Sequence, residues 1–156
     1  GAGYPSYDAA NYFGAIFNKF LGDEDGTGGR IFENDVPIYR YADVLLLLAE
    51  AKKLLGEDPS GEINQIRARA YGDNYNAAIH AYTNGSKVEN TNAILDERYK
   101  EFIGEGKRWW DLRRAGDSFV FDNISYLSSG DSYKLLLPIT TDMIGRNPLL
   151  EQTEGY

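Results

Sequence analysis

Four tyrosines, Tyr71, Tyr75, Tyr82 and Tyr126, stand in polar stretches with no apolar partner at helical or strand spacing. Such a residue offers a flat ring face and a hydroxyl at low entropic cost. Asn74, Asn76 and Asn84 lie among the first three and add planar amide donors and acceptors. Rings and amides together are what a polar, flat-faced ligand such as a sugar requires, and loops carry binding more often than cores do. The candidate ligand contacts are therefore Tyr71, Tyr75, Asn76, Tyr82 and Tyr126. The competing reading is that each merely lies on the surface.

A second group could do other chemistry. Ile94–Arg114 carries Glu97, Arg98, Glu101, Glu105 and Asp111 around an apolar stripe of Leu95, Tyr99, Phe102 and Ile103, with both tryptophans adjacent at Trp109 and Trp110. Two carboxylates at the right separation could hydrolyse a glycosidic bond. A helix face that alternates acid and base instead forms ion pairs, so no residue is assigned to catalysis. Indole faces suit sugar rings, but a Trp pair flanked by Arg108 and Arg113 reads as packing with cation–π edges. Neighbouring residues on a helix diverge by about a quarter turn, so Trp109 is expected in the core with Leu112, and Trp110 against another neighbour. Arg98, Glu101, Trp109, Trp110 and Asp111 are thus read as structural, on a helix wedged between other elements.

Asp23-x-Asp25-x-Thr27-Gly28 imitates the first half of a calcium loop, but the twelfth position is Asn34 and not a glutamate. A solvated acidic turn fits better, with Asp23, Asp25 and Thr27 kept as a weak calcium candidate and no cofactor expected. His80 is the sole histidine and cannot build a histidine-rich metal site; with no cysteine there is no thiolate ligand or nucleophile. No glycine-rich phosphate loop or nucleophile elbow is present. A net charge of −8 argues against nucleic acid and against an anionic membrane surface. The longest apolar run, Val44 to Ala49, is far short of a transmembrane span.

The elements that must position these residues are mainly helical. Tyr12, Phe13, Ile16, Phe17, Phe20 and Leu21 fit a short amphipathic helix, and residues 22–29 a loop. Ile31 to Ile38 reads as extended, ahead of a helix from about Tyr39 to Leu55 whose wide apolar face needs burial on more than one side. Gly56 caps it. Ser60 is the expected N-cap of a second helix ending at Gly72, and a four-residue link makes the two a hairpin. Residues 73–90 read as a long loop with a helical turn near Ala77–Tyr82. Thr91 or Asn92 is expected to cap the next helix, which Gly104 and Gly106 separate from another beginning at Arg108. Residues 116–133 show no clear period. Leu135 to Ile139 reads as a short buried extended segment, and Thr140 or Thr141 as the start of a helical turn.

Four blocks in order resemble the C-terminal part of the SusD/RagB family. They are Pro37-x-Tyr39-Arg40-Tyr41-Ala42-Asp43-Val44-Leu45 through Ala49-Glu50-Ala51; Ile63 to Ala70; Glu97-Arg98 through Glu101-Phe102, Glu105-Gly106, Arg108-Trp109 and Asp111-Leu112; and Leu136-Leu137-Pro138-Ile139 through Asn147-Pro148 to Gly155-Tyr156. The resemblance implies a mainly α architecture: the C-terminal part of the SusD-like, tetratricopeptide-related helical fold, with long loops and little β. It also implies that residues 1–156 form one region of a longer chain. The parent would be an outer-membrane lipoprotein on the cell surface of Bacteroidetes, lipid-anchored at its N-terminus. It would capture glycans, or in some members peptides, without catalysis. Its expected partners are a SusC-like TonB-dependent outer-membrane transporter, the glycan, and the N-terminal part of the same protein.

Overall fold

A computed structural model describes residues 19–20, 22–33 and 35–156. The helix expected across Tyr12 to Leu21 falls largely outside them. The chain divides into two compact units, Gly1–Pro37 and Ile38–Tyr156. In the first, two-residue strands β1 (Asp23–Glu24) and β2 (Arg30–Ile31) pair antiparallel, Asp23 opposite Ile31. The stretch read as a loop is thus a small hairpin, while the described residues 32, 33 and 35–37 lie in no strand.

The second unit is helical. Helix α1 (Tyr41–Leu55) buries Ala42, Leu45, Leu46 and Ala49, and Gly56 closes it in the left-handed region. Its N-cap is Arg40, so the helix begins two residues later than expected. Helix α2 (Ser60–Tyr71) packs on α1 through Ile63 and Ile66. Ser60 is the first residue of that helix and not its cap: Pro59 stands at the N-cap, and Asp58 Oδ1, two residues before Ser60, accepts from the Ser60 N–H at 2.7 Å. Helix α3 (Ala77–His80) is one turn, capped by Asn76.

Helix α4 (Lys87–Glu101) starts earlier than expected. Ser86 accepts from Glu89 N–H while Glu89 accepts from Ser86 N–H, a reciprocal capping box that outcompetes Thr91 and Asn92. Thr91 is interior and donates its hydroxyl to Lys87 O at 2.7 Å. Gly104 and Gly106, at φ +79° and +70°, turn the chain into α5 (Arg108–Ala115). Helix α6 (Asp117–Asn123) was not expected. Its single buried residue, Val120, sits in the core among the partly buried Phe119, Phe121 and Ile124, so no periodic stripe marked it. A 3₁₀ segment, Ser129–Leu135, and α7 (Thr141–Arg146), capped by Thr140, complete the chain. The expected buried extended segment is corrected: Leu135 is buried at the 3₁₀ end, but Leu136 and Leu137 are exposed.

Among the described residues, buried apolar contacts fall into three clusters that all touch α1 or α4. Ala42, Leu45, Leu46, Ile66 and Phe102 form one; Ala49, Ile63 and Ile94 form the next; Leu95, Leu112, Val120 and Leu135 form the third. Fully burying each of the larger side chains contributes about 1.5–3 kcal/mol. Among the described residues no helix is long and apolar enough to cross a membrane.

Candidate functional site

The link between α2 and α4 gathers three of the five candidate ligand residues around the His80 ring. Tyr71 ends α2 and stacks on His80 with ring centroids 4.0 Å apart and planes within 3° of parallel. Tyr75 approaches the same imidazole at 5.9 Å and a 43° tilt. Asn76 fixes the geometry twice: its side chain accepts from Ala78 N–H at 3.0 Å, capping α3, and its own N–H donates to His80 Nδ1 at 2.9 Å. With Nδ1 accepting, the imidazole proton belongs on Nε2. Tyr71 remains 47% exposed.

Tyr82 has a different role. Its hydroxyl donates to Asn90 Oδ1 at 2.6 Å, its N–H donates to Asn64 Oδ1 at 2.6 Å, and Asn64 Nδ2 returns a bond to its carbonyl. Burial, with Glu89 nearby, holds its phenol above the usual tyrosine range. Tyr82 packs against Ala49, Ile63 and Ile94, which makes it a strut under the loop. Arg67 braces the same loop by donating to His80 O at 2.8 Å while pairing with Glu97 at 2.7 Å. Tyr126 follows α6 and is highly exposed, away from the His80 cluster in sequence and element. His80 is the member that residue types did not single out; ring-bearing positions at 71, 75 and 80 were the available signal.

Glu97, Glu101, Glu105 and Asp111 are held by cations. Arg40 chelates Glu105 through Nε and Nη2 at 3.1 and 2.9 Å, and also bonds Glu101. Arg98 joins Asp43 at 3.2 Å and Asp111 at 2.8 Å in the interior, and Arg114 pairs with Glu50 and Asp111. These bonds tie α1 to α4 and α5. Trp109 packs in the third core cluster beside Leu112. Trp110, in contrast, is 65% exposed, so α5 is not wedged on all sides as its sequence suggested. The quarter-turn offset sends the second indole outward, where the described residues place nothing over it.

Asp23 lies in β1, and Asp25 organises the hairpin turn. Its Oδ1 accepts from Thr27 N–H, Thr27 Oγ1–H and Gly29 N–H at 2.8, 2.7 and 3.0 Å, bonds that hold its carboxyl below the usual range, the Thr27 hydroxyl foremost. Among the described residues no group of three or more Asp, Glu or His converges in a way that could hold a metal ion.

A family model described as the SusD family, SusD_RagB, matches residues 1–156. The chain belongs to the SusD family. It is 35% identical over 131 residues to SusD-like protein P38 of Formosa agariphila, covering 81% of this chain and 25% of that protein. It is 32% identical over 134 residues to starch-binding protein SusD of Bacteroides thetaiotaomicron, covering 80% and 22%. Among solved structures, B. fragilis NanU superposes with a TM-score of 0.76 at 47% identity, over 89% of this chain and 31% of NanU. A SusD superfamily protein from Bacteroides vulgatus gives 0.73 at 42%, over 88% and 32%. This SusD-family chain therefore spans between 22% and 32% of the length of these relatives.

Proposed function

We propose that this SusD-family chain takes part in non-catalytic binding of glycans at the bacterial cell surface. The observation that carries the reading is the Tyr71–His80 stack with Tyr75 beside it, a half-exposed aromatic face on a braced loop. Family membership supports it, since one relative is named as starch-binding. Asn76, Tyr82 and Asn64 position that face, and Tyr126 offers a separate exposed ring. The carboxylates that could serve hydrolysis are engaged by arginines, which supports capture over cleavage. No cofactor is assigned.

In this reading the longer polypeptide is an outer-membrane lipoprotein, anchored through an N-terminal lipid, that passes its glycan to a SusC-like TonB-dependent transporter. The test is calorimetric titration of maltoheptaose, cellohexaose and a dipeptide-repeat peptide. Glycan binding weakened by Tyr71→Ala and Tyr75→Ala is expected. Binding of the peptide alone would replace the ligand class, and reducing ends released from glycan would replace capture with hydrolysis.

A second reading rests on α1. Tyr41, Val44, Leu48 and Leu55 recur along one helical face and are all exposed. An apolar stripe of that length is a packing surface. It supports a scaffold role, with this face set against the N-terminal part of the same protein or against the transporter.

A further inference from the structure

A cleft opens beside the N-terminal ends of α1 and α5. Tyr39 and Trp110, 74% and 65% exposed, flank it; Asp43, Arg98, Lys107 and Asp111 contribute to its lining. Its volume is about 280 Å³. Ligand pockets typically run about 300–1,000 Å³, so this one suits a single ring.

The charges are matched. Lys107 Nζ donates to Ile38 O at 2.6 Å, pairs with Asp43 at 3.0 Å and lies 4.7 Å from the Tyr39 ring centroid. Arg98 takes Asp43 and Asp111, and Arg114 takes Glu50 and Asp111. A floor so balanced has no net field to draw a strongly charged ligand. Yet three buried atoms here make no hydrogen bond. Arg98 Nε has only its ion pair with Asp111, and Arg98 Nη1 and Asp111 Oδ2 have no hydrogen-bond partner, although their residues are 3% and 2% exposed. Folded interiors rarely leave such groups unpaired. Nη1 is a donor and Oδ2 an acceptor, on residues that face each other at 2.8 Å. They are closed to solvent as they stand, so a ligand reaches them only with a small shift of the side chains over them; a hydroxyl then supplies both functions at once, whereas an anion supplies only acceptors.

The aromatic walls complete the chemistry. Among the described residues Trp110 has no ring or cation over its faces, so the indole is free to lie on the C–H face of a sugar. We propose that this cleft is a further sugar subsite, taking one neutral pyranose ring between Trp110 and Tyr39 above the Arg98–Asp111 pair. It rests on the glycan-capture reading, but it stands on α1 and α5 and not on the Tyr71–His80 loop. It also gives Trp110 a contact with ligand that its place in an ion-paired helix did not suggest.

The test uses the indole Nε1–H signals of the ¹⁵N-labelled chain, assigned with Trp110→Phe, during titration with maltoheptaose, cellohexaose and xylohexaose to about 10 mM, enough to detect millimolar binding. At least one glycan should move the Trp110 signal saturably and leave that of Trp109 in place. Trp110→Ala and Tyr39→Ala, both at exposed positions, should each weaken that binding about three- to tenfold while leaving the thermal melt unchanged. No Trp110 shift with any of the three glycans overturns the proposal. So does a shift that tracks protein concentration, which assigns the face to a second copy. Glycan binding lost in Tyr71→Ala and Tyr75→Ala but intact in Trp110→Ala leaves the capture reading standing and removes this subsite. The reverse pattern keeps the subsite and removes the tyrosine stack.

Discussion

The ring of Tyr71 lies 4.0 Å from that of His80 and within 3° of parallel, joining the end of α2 to the one-turn helix that follows. Residues nine apart in sequence are thereby locked by a contact that neither an α-helix nor a strand would produce. The lock depends on Asn76, whose backbone N–H donates to His80 Nδ1. A protonated imidazole has no lone pair there to accept it. His80→Ala should therefore loosen residues 72–80 without unfolding the helices. Faster amide exchange confined to that loop is the expected result, read by hydrogen exchange.

Arg40 and Glu105 carry the union of α1 with the α4–α5 turn. The guanidinium chelates the carboxylate, bonds Glu101 O as well, and lies 4.6 Å from the Phe102 ring centroid. Arg40→Ala leaves buried acceptors behind and should cost about 2–4 kcal/mol in urea unfolding. Arg40→Lys should recover little, because an ammonium cannot reproduce the fork.

The two tryptophans should separate cleanly. Trp109→Ala removes packing around Leu112 and should cost about 3–5 kcal/mol, whereas Trp110→Ala should stay within about 0.5 kcal/mol. Equal losses at both positions would mean that Trp110 is covered.

Much of this was legible beforehand. The hairpin of α1 and α2 was, because Leu45 and Leu48 on one segment and Ile63 and Ile66 on the next repeat at helical spacing and Gly56 and Gly72 mark the ends; that Leu46 is the fully buried leucine of α1, with Leu48 exposed, was not. Helix α6 was not, because one buried valine among two half-buried phenylalanines and an isoleucine makes no stripe. The start of α4 was misplaced because Ser86 and Glu89 act as a reciprocal pair, while Thr91 looks like a cap and is buried. Within the candidate site, residue types pointed to Tyr71, Tyr75 and Asn76. They could not show that His80 organises them, since its partners are a ring face and a backbone N–H.

Ser86→Ala should cost about 1 kcal/mol by removing half of that capping box. The loss should appear as fraying of Lys87–Asn90 in hydrogen exchange, with the C-terminal half of α4 unchanged.

Asp131 gives a test by pH. Lys134 first, then the Ser128 hydroxyl and N–H, hold its carboxyl down to about 2 from 3.8. A depressed carboxylate contributes stability that is present above its unfolded value and lost as pH falls through the folded one. The turn at 128–134 should thus stay ordered at pH 5 and loosen from about pH 4 down to about 2. The carboxyl carbon of Asp131, followed by NMR, should titrate near 2, and Asp131→Asn should abolish the acid transition of that turn.

The central claim is that the Tyr71–His80 face holds a glycan. Its most direct test is calorimetric titration of maltoheptaose and cellohexaose into this chain and into Tyr71→Ala and Tyr75→Ala, with circular dichroism confirming that the helices persist. Each variant should bind about three- to tenfold more weakly, the equivalent of about 0.7–1.4 kcal/mol for one lost aromatic contact. Glycan affinity identical in the original chain and both variants would contradict the account.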